Sequence, residues 1–170
     1  MTLDELNALP EDSAIDAFTA CCGAGRWVSA MIARRPFASV DQLIDAANQS
    51  WRDTTESDWR EAFDHHPRIG EDRSRTAQGH RASSWSQREQ SLAAASDENV
   101  RRQLADANAQ YEARFGHIYI VCAAGRPADE LLRIARERLH NDPAAELRVA
   151  AEEQRKITEL RLRKLLSEAT

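Results

Sequence analysis

His117-Ile118-Tyr119-Ile120-Val121-Cys122-Ala123 is the only β-branched, apolar and non-helical run in this chain of 170 residues. As a strand it would have no obvious partner, and a lone strand cannot satisfy its own backbone N–H and C=O groups. It reads instead as a buried extended connector, whose polar backbone groups must find partners elsewhere in the protein or on a ligand. With that segment removed from the strand column, every remaining periodic stretch is helical. The expected fold is therefore all-α: a single-domain bundle of about eight helices over residues 1–170, with one short buried extended connector.

Helix boundaries follow from local chemistry on either side of that run. Thr2 with Glu5 forms a capping box that starts a short helix, ended by Pro10. A second helix is expected from about Glu11 to Cys22, stopped by Gly23-Ala24-Gly25, and a third from about Arg26 to Arg34 before Pro36. Ser39 with Gln42 reads as another capping box, opening a helix through Leu43, Ile44, Ala47 and Trp51. The pattern repeats from about Ser57 to His65, and again from about Asp97 to Phe115, where Gly116 supplies a C′ stop. Pro127 stands at the N1-like start of a helix to about His140. Asp142-Pro143, an N-cap followed by proline, opens a long last helix to about Glu168. Residues 71–84 are polar, aperiodic and almost devoid of core formers, and a loop of that length inside a compact domain is usually functional or mobile. Ser86-Gln87-Arg88-Glu89 then forms a capping box at the next helix start.

Composition narrows the function classes. With 42% hydrophobic and 30% charged residues, six glycines and five prolines, the chain is globular and helix-rich. A net charge of −5, with Asp and Glu interleaved among the arginines, gives no footprint for nucleic acid. Cys21, Cys22 and Cys122 have no metal-type spacing, form no CxxC pair, and in odd number argue against a secreted disulfide framework. The acidic start Met1-Thr2-Leu3-Asp4-Glu5 lacks an apolar leader core, and no apolar run reaches membrane-spanning length. The expectation is a cytoplasmic protein with neither membrane nor nucleic-acid partner.

Three residues stand out as candidates for chemistry. In Phe63-Asp64-His65-His66-Pro67-Arg68-Ile69-Gly70 a helix stops on a histidine because the residue before proline is driven out of the α region. His66 is thus freed from the helical lattice, and its near-neutral pKa suits proton transfer. The plainer alternative is a histidine meeting the negative end of a helix dipole. In the last helix Leu147, Ala150, Ala151, Ile157, Thr158 and Leu165 fall on one face at about 100° per residue, and Arg161 falls among them. Arg148, Arg155 and Arg163 lie nearer its flank or back. A buried guanidinium needs an anion or several acceptors, which an ion pair or a substrate can equally provide. Glu89 is explained as the N3 partner of Ser86, yet a helix start after a long polar loop also offers free N–H groups to an anion, with the Gln90 amide beside it.

These residues belong to a longer series: Arg26-Trp27-Val28, Arg35-Pro36-Phe37, His66-Pro67-Arg68-Ile69-Gly70, Ser86-x-x-Glu89-Gln90, Tyr111-x-x-Arg114-Phe115-Gly116, Tyr119-Ile120-Val121-Cys122 and Lys156-Ile157-x-x-Leu160-Arg161-Leu162. In that order and spacing the chain resembles the 2-oxo-4-hydroxy-4-carboxy-5-ureidoimidazoline (OHCU) decarboxylases, which complete the route from urate to (S)-allantoin. The resemblance spans nearly the whole chain. It implies an all-helical fold, a homodimer, a small-molecule substrate (OHCU), and no metal or organic cofactor. It also implies His66 as the catalytic histidine, Glu89 as its acidic partner and Arg161 as the substrate-binding arginine. Further substrate contacts are implied for Pro67, for Ser86, Gln87, Arg88, Glu89 and Gln90, and for Tyr119, Ile120, Val121, Cys122 and Ala123. The 71–84 loop is longer than in some relatives, which leaves its role open. No transthyretin-like hydrolase module is fused to the sequence, so the preceding hydrolysis is expected on another polypeptide.

Other readings fit less well. A helical redox protein of alkylhydroperoxidase type wants a CxxC with a nearby histidine, and Cys21-Cys22 does not supply it. A metal hydrolase using His65, His66 and His80 lacks a closed ligand set of plausible spacing. A non-enzymatic helical interaction domain needs neither an arginine on an apolar stripe nor a histidine at a helix break.

Overall fold

The computed structural model describes residues 1–69 and 98–167, and over these it contains eight helices and no strand. They are α1 (Leu3–Ala8), α2 (Glu11–Cys21), α3 (Gly25–Ala33), α4 (Val40–Arg52), α5 (Glu56–Asp64), α6 (Glu98–Phe115), α7 (Ala128–Arg138) and α8 (Pro143–Ser167). The loop at 71–84 and the capping box expected at Ser86–Glu89 lie outside the described residues. No helix among those described is long and apolar enough to cross a membrane.

Most caps expected from sequence are formed. Thr2 accepts from the Glu5 N–H while Glu5 accepts from the Thr2 N–H, closing the box at α1. The Asp142 carboxylate accepts from Ala144 and Ala145, with Pro143 as the first helical residue of α8. Gly116 takes φ +71°, the left-handed C′ conformation that a side chain would strain. The α4 start departs from expectation. Ser39 caps the Gln42 N–H, but the Gln42 side chain reaches past the N-cap to accept from Ala38. Two further boundaries shift by about one turn or less. Pro127 is the N-cap of α7 rather than its first residue, and α7 ends at Arg138, where bonds of the i→i+3 type from His140 and Asn141 tighten the chain into a turn. Thr55 and Asp58 form an unanticipated start at α5: both the Thr55 N–H and its hydroxyl donate to Asp58, which holds that carboxyl below its ordinary range.

The chain divides into two compact units, one of residues 1–62 and 154–170 and the other of residues 63–153. In the first, Phe18 makes edge contacts with both Trp27 and Phe37, and all three are buried. The Trp27 indole N–H donates to the Ala47 carbonyl, tying α3 to α4. Asn7 exchanges two hydrogen bonds with the Phe37 backbone, at 2.8 and 2.9 Å, so the short α1 is anchored despite its length. In the second unit α6 and α7 pack through Leu104, Ala107, Tyr111, Leu131, Leu132 and Ala135. Tyr119, Val121 and Ala123 of the connector fill the same apolar cluster.

Candidate active site

The histidine loop and the connector both belong to the second unit, the loop fastened to α6 and the connector to α7 and α8. His66 closes the end of α5 by donating its backbone N–H to the Phe63 carbonyl at 3.0 Å. Its side chain is half-buried, whereas that of His65 is exposed. Arg68 forms a two-pronged ion pair with Glu112 of α6, at 2.9 and 2.6 Å, and Asn108 donates to the Ile69 carbonyl at 2.7 Å. Phe63 packs at 5.2 Å, with its ring tilted by 43°, against the buried His117 ring at the head of the connector. Thus Pro67 and His66 are held by ties on either side, which suits a residue that must keep a defined direction during proton transfer.

The connector is neither helix nor strand; the Ala123 carbonyl accepts from the Arg126 N–H at 3.1 Å, but within the run two backbone groups are met by side chains. The Ile120 carbonyl accepts from Arg138 Nη1 at 2.7 Å, and the Cys122 N–H donates to Glu153 Oε2 at 2.8 Å. Tyr119 donates its hydroxyl to the Leu131 carbonyl at 3.1 Å, and burial raises its pKa. Tyr119, Ile120, Val121 and Ala123 are buried, and Cys122 is half-buried.

Behind the connector lies a buried polar network that sequence reading missed. Arg138, at 7% exposure, directs Nε and Nη2 at a single oxygen of the fully buried Glu146, with the Nε contact at 2.7 Å. Tyr111 donates its hydroxyl to that same oxygen, while Asn141 donates to the other at 2.8 Å. Burial raises the Tyr111 pKa, the Arg138 charge opposing it only in part. Burial is the largest single influence on Arg138 and works against its charge, but the hydrogen bond to Glu146 and the electrostatic pull of Tyr111, Glu146 and Tyr119 together outweigh it and raise its pKa. The periodicity that singled out Arg161 holds the missed signal. Glu146 and Glu153 fall at the edge of the same α8 stripe and are buried, at 0% and 8% exposure.

Arg161 belongs to the first unit and is 4% exposed, as its place on the stripe predicts. Leu147, Ala150, Ala151, Ile157, Thr158 and Leu165 are buried as well, while Arg148 and Arg163 are exposed. Beside Arg161 lie Thr158 and the buried Cys22 of α2's C-terminal end. Burial pushes the Cys22 thiol up from an ordinary 9.0 to about 11, against the opposing pull of the Ala24 backbone, Thr158 and the Arg161 charge. A raised acid pKa stabilises the fold fully below the unfolded value. That contribution is lost as pH rises through the interval from 9.0 to about 11. Melting temperature should therefore fall more steeply across that interval in the wild type than in Cys22→Ala. Parallel slopes would show that Cys22 ionisation is not opposed by the fold. Ser86, Gln87, Arg88, Glu89 and Gln90 lie outside the described residues.

Comparison with known proteins gives a consistent result. A family model described as OHCU decarboxylase matches residues 7–163. The chain is 35% identical over 153 residues to the uric acid degradation bifunctional protein TTL of Arabidopsis thaliana, covering 90% of this chain but 47% of that protein. The chain thus spans about half the length of that relative. It is 29% identical over 163 residues to the 2-oxo-4-hydroxy-4-carboxy-5-ureidoimidazoline decarboxylase of Haloferax volcanii, covering 95% and 94% of the two chains. Among solved structures, OHCU decarboxylase crystallised in the presence of (S)-allantoin superposes with a TM-score of 0.76 at 36% identity, covering 89% of this chain and 98% of that one.

Proposed function

The chain belongs to the OHCU decarboxylase family, and from that premise we propose that it is a carboxy-lyase converting OHCU to (S)-allantoin in urate breakdown. The observation that carries the proposal is the family match over residues 7–163, together with a solved decarboxylase of nearly the same extent and 36% identity. One catalytic domain of this extent, a cytoplasmic setting and a homodimer complete the reading.

The chemistry suits the residues. When the ring carbon loses CO₂, the electron pair of the broken bond passes into the adjacent C=N of the imidazoline, so the substrate carries its own electron sink. The protein's tasks are to orient the ring, disperse negative charge and deliver one proton to one face. In this proposal the planar Arg161 fork pairs with an anionic or carbonyl oxygen of the substrate. Backbone groups of Tyr119 to Ala123 read the ureido and ring amides, with further substrate contacts assigned to Pro67 and the segment Ser86 to Gln90. Glu89 fixes the tautomer of His66, and this pair supplies the proton.

The direct test is to mix the protein with freshly generated OHCU and follow optical activity. Formation of optically active allantoin faster than the spontaneous decay is the expected result. Racemic allantoin at the uncatalysed rate would overturn the proposal.

A further inference from the structure

We propose that the buried Arg138–Glu146–Tyr111 network and the Glu153 carboxylate are positioning residues, which hold the connector 119–123 in the conformation that reads the substrate. The inference rests on the reading of that connector as a substrate-contacting segment.

Its first ground is the unusual use of the arginine. An arginine–carboxylate pair usually spends two donors on two oxygens. Here Nε and Nη2 converge on one Glu146 oxygen, the second oxygen being taken by Asn141, and Nη1 is turned to the Ile120 carbonyl at 2.7 Å. The guanidinium carbon also lies 5.6 Å from the Tyr111 ring centroid and 5.0 Å from that of Tyr119. Arg138 therefore grips the connector at two consecutive residues, by a ring face and by a carbonyl.

The second ground is spacing. Arg138 holds the carbonyl of residue 120 and Glu153 the N–H of residue 122, so the two anchors are two residues apart, the repeat of extended chain. They fix the peptide groups on either side of Val121. Among the described residues nothing local does this, since the segment has neither a helical ladder nor a strand beside it.

The third ground is energetic. A buried ion pair is a weak device for stability, because well-packed apolar residues of similar volume often do as well or better. A site, in contrast, needs its binding groups held by packing and by hydrogen bonds from behind. The network and Glu153 are buried in the core, where they hold the connector's backbone at the Ile120 carbonyl and the Cys122 N–H.

The test exploits this difference. Arg138→Met, Glu146→Met and Tyr111→Phe made together remove the ion pair and the phenol at once, leaving no buried charge unpaired. Melting temperature is expected to stay near that of wild type, while KM for OHCU rises by about 10-fold or more and kcat falls less, since small misplacements of binding groups are costly. A folded triple variant with KM within about twofold of wild type would overturn the proposal. Glu153 gives an independent arm: Glu153→Gln keeps an acceptor for the Cys122 N–H, and Glu153→Met removes it. A raised KM in the methionine variant with rescue by glutamine supports the proposal even where the triple variant fails to fold. Wild-type kinetics in Glu153→Met beside a triple variant that does not fold would overturn it. An inactive wild type in the same assay would defeat the functional reading and this inference together. An active wild type with unchanged variants would defeat the inference alone.

Discussion

His66→Ala and His66→Asn are expected to lower kcat for OHCU by about 100-fold or more, with the fold intact. The expectation of an intact fold comes from the structure. What His66 gives to the helix end is its backbone N–H, donated to Phe63, and alanine or asparagine at that position retains it. The neighbouring Pro67 keeps the chain out of the helix, while Arg68–Glu112 and Asn108–Ile69 keep the loop on α6. The substitution therefore isolates the imidazole. His65, exposed on the preceding turn, is the natural control, and His65→Ala should leave turnover close to wild type. Steady-state kinetics with circular dichroism on the three variants decide the matter. Near-normal turnover in a folded His66→Ala, or equal losses at the two histidines, would remove His66 from the chemistry.

Arg161→Lys and Arg161→Met are expected to lower kcat/KM by about 100-fold, the lysine recovering little, because an ammonium is a point charge and cannot reproduce the bidentate fork. Methionine retains an unbranched stem on the apolar stripe beside Ile157 and Leu165, so packing is preserved while the charge is lost. If Arg161 serves the substrate, melting temperature changes little or rises, as often follows removal of a functional group held under strain. A purely structural arginine predicts the opposite, since breaking a buried ion pair costs about 3–5 kcal/mol. A large fall in melting temperature with normal kinetics in the remaining folded protein would sink the substrate-binding role.

Both positions are legible in the sequence, for local reasons. Histidine before proline is a statement about backbone sterics within two residues, and an arginine on an apolar stripe is a statement about one helix's period. The all-α architecture followed from a single segment, because 117–123 had no second β-type run to pair with. The capping pairs Thr2/Glu5 and Asp142-Pro143, and the stop at Gly116, were readable because each is complete within a few residues of chain. Where such a motif missed, as with Gln42 reaching Ala38, the local chemistry was right and the acceptor's reach was one residue longer.

The sequence by itself determined the helices, the connector and the places of His66 at a helix break and Arg161 on a buried stripe, since those depend on propensity, period and motif. The tertiary structure alone decided what holds the connector. The carbonyl of Ile120 meets a guanidinium 18 residues on, and the N–H of Cys122 meets a carboxylate 31 residues on. Glu146 and Glu153 stand at the edge of the α8 stripe, where period alone does not separate a buried carboxylate from a solvated one. Their burial was fixed by Arg138, Tyr111 and the Cys122 amide arriving from elsewhere in the chain, because a charge enters a core only where its partners are already in place.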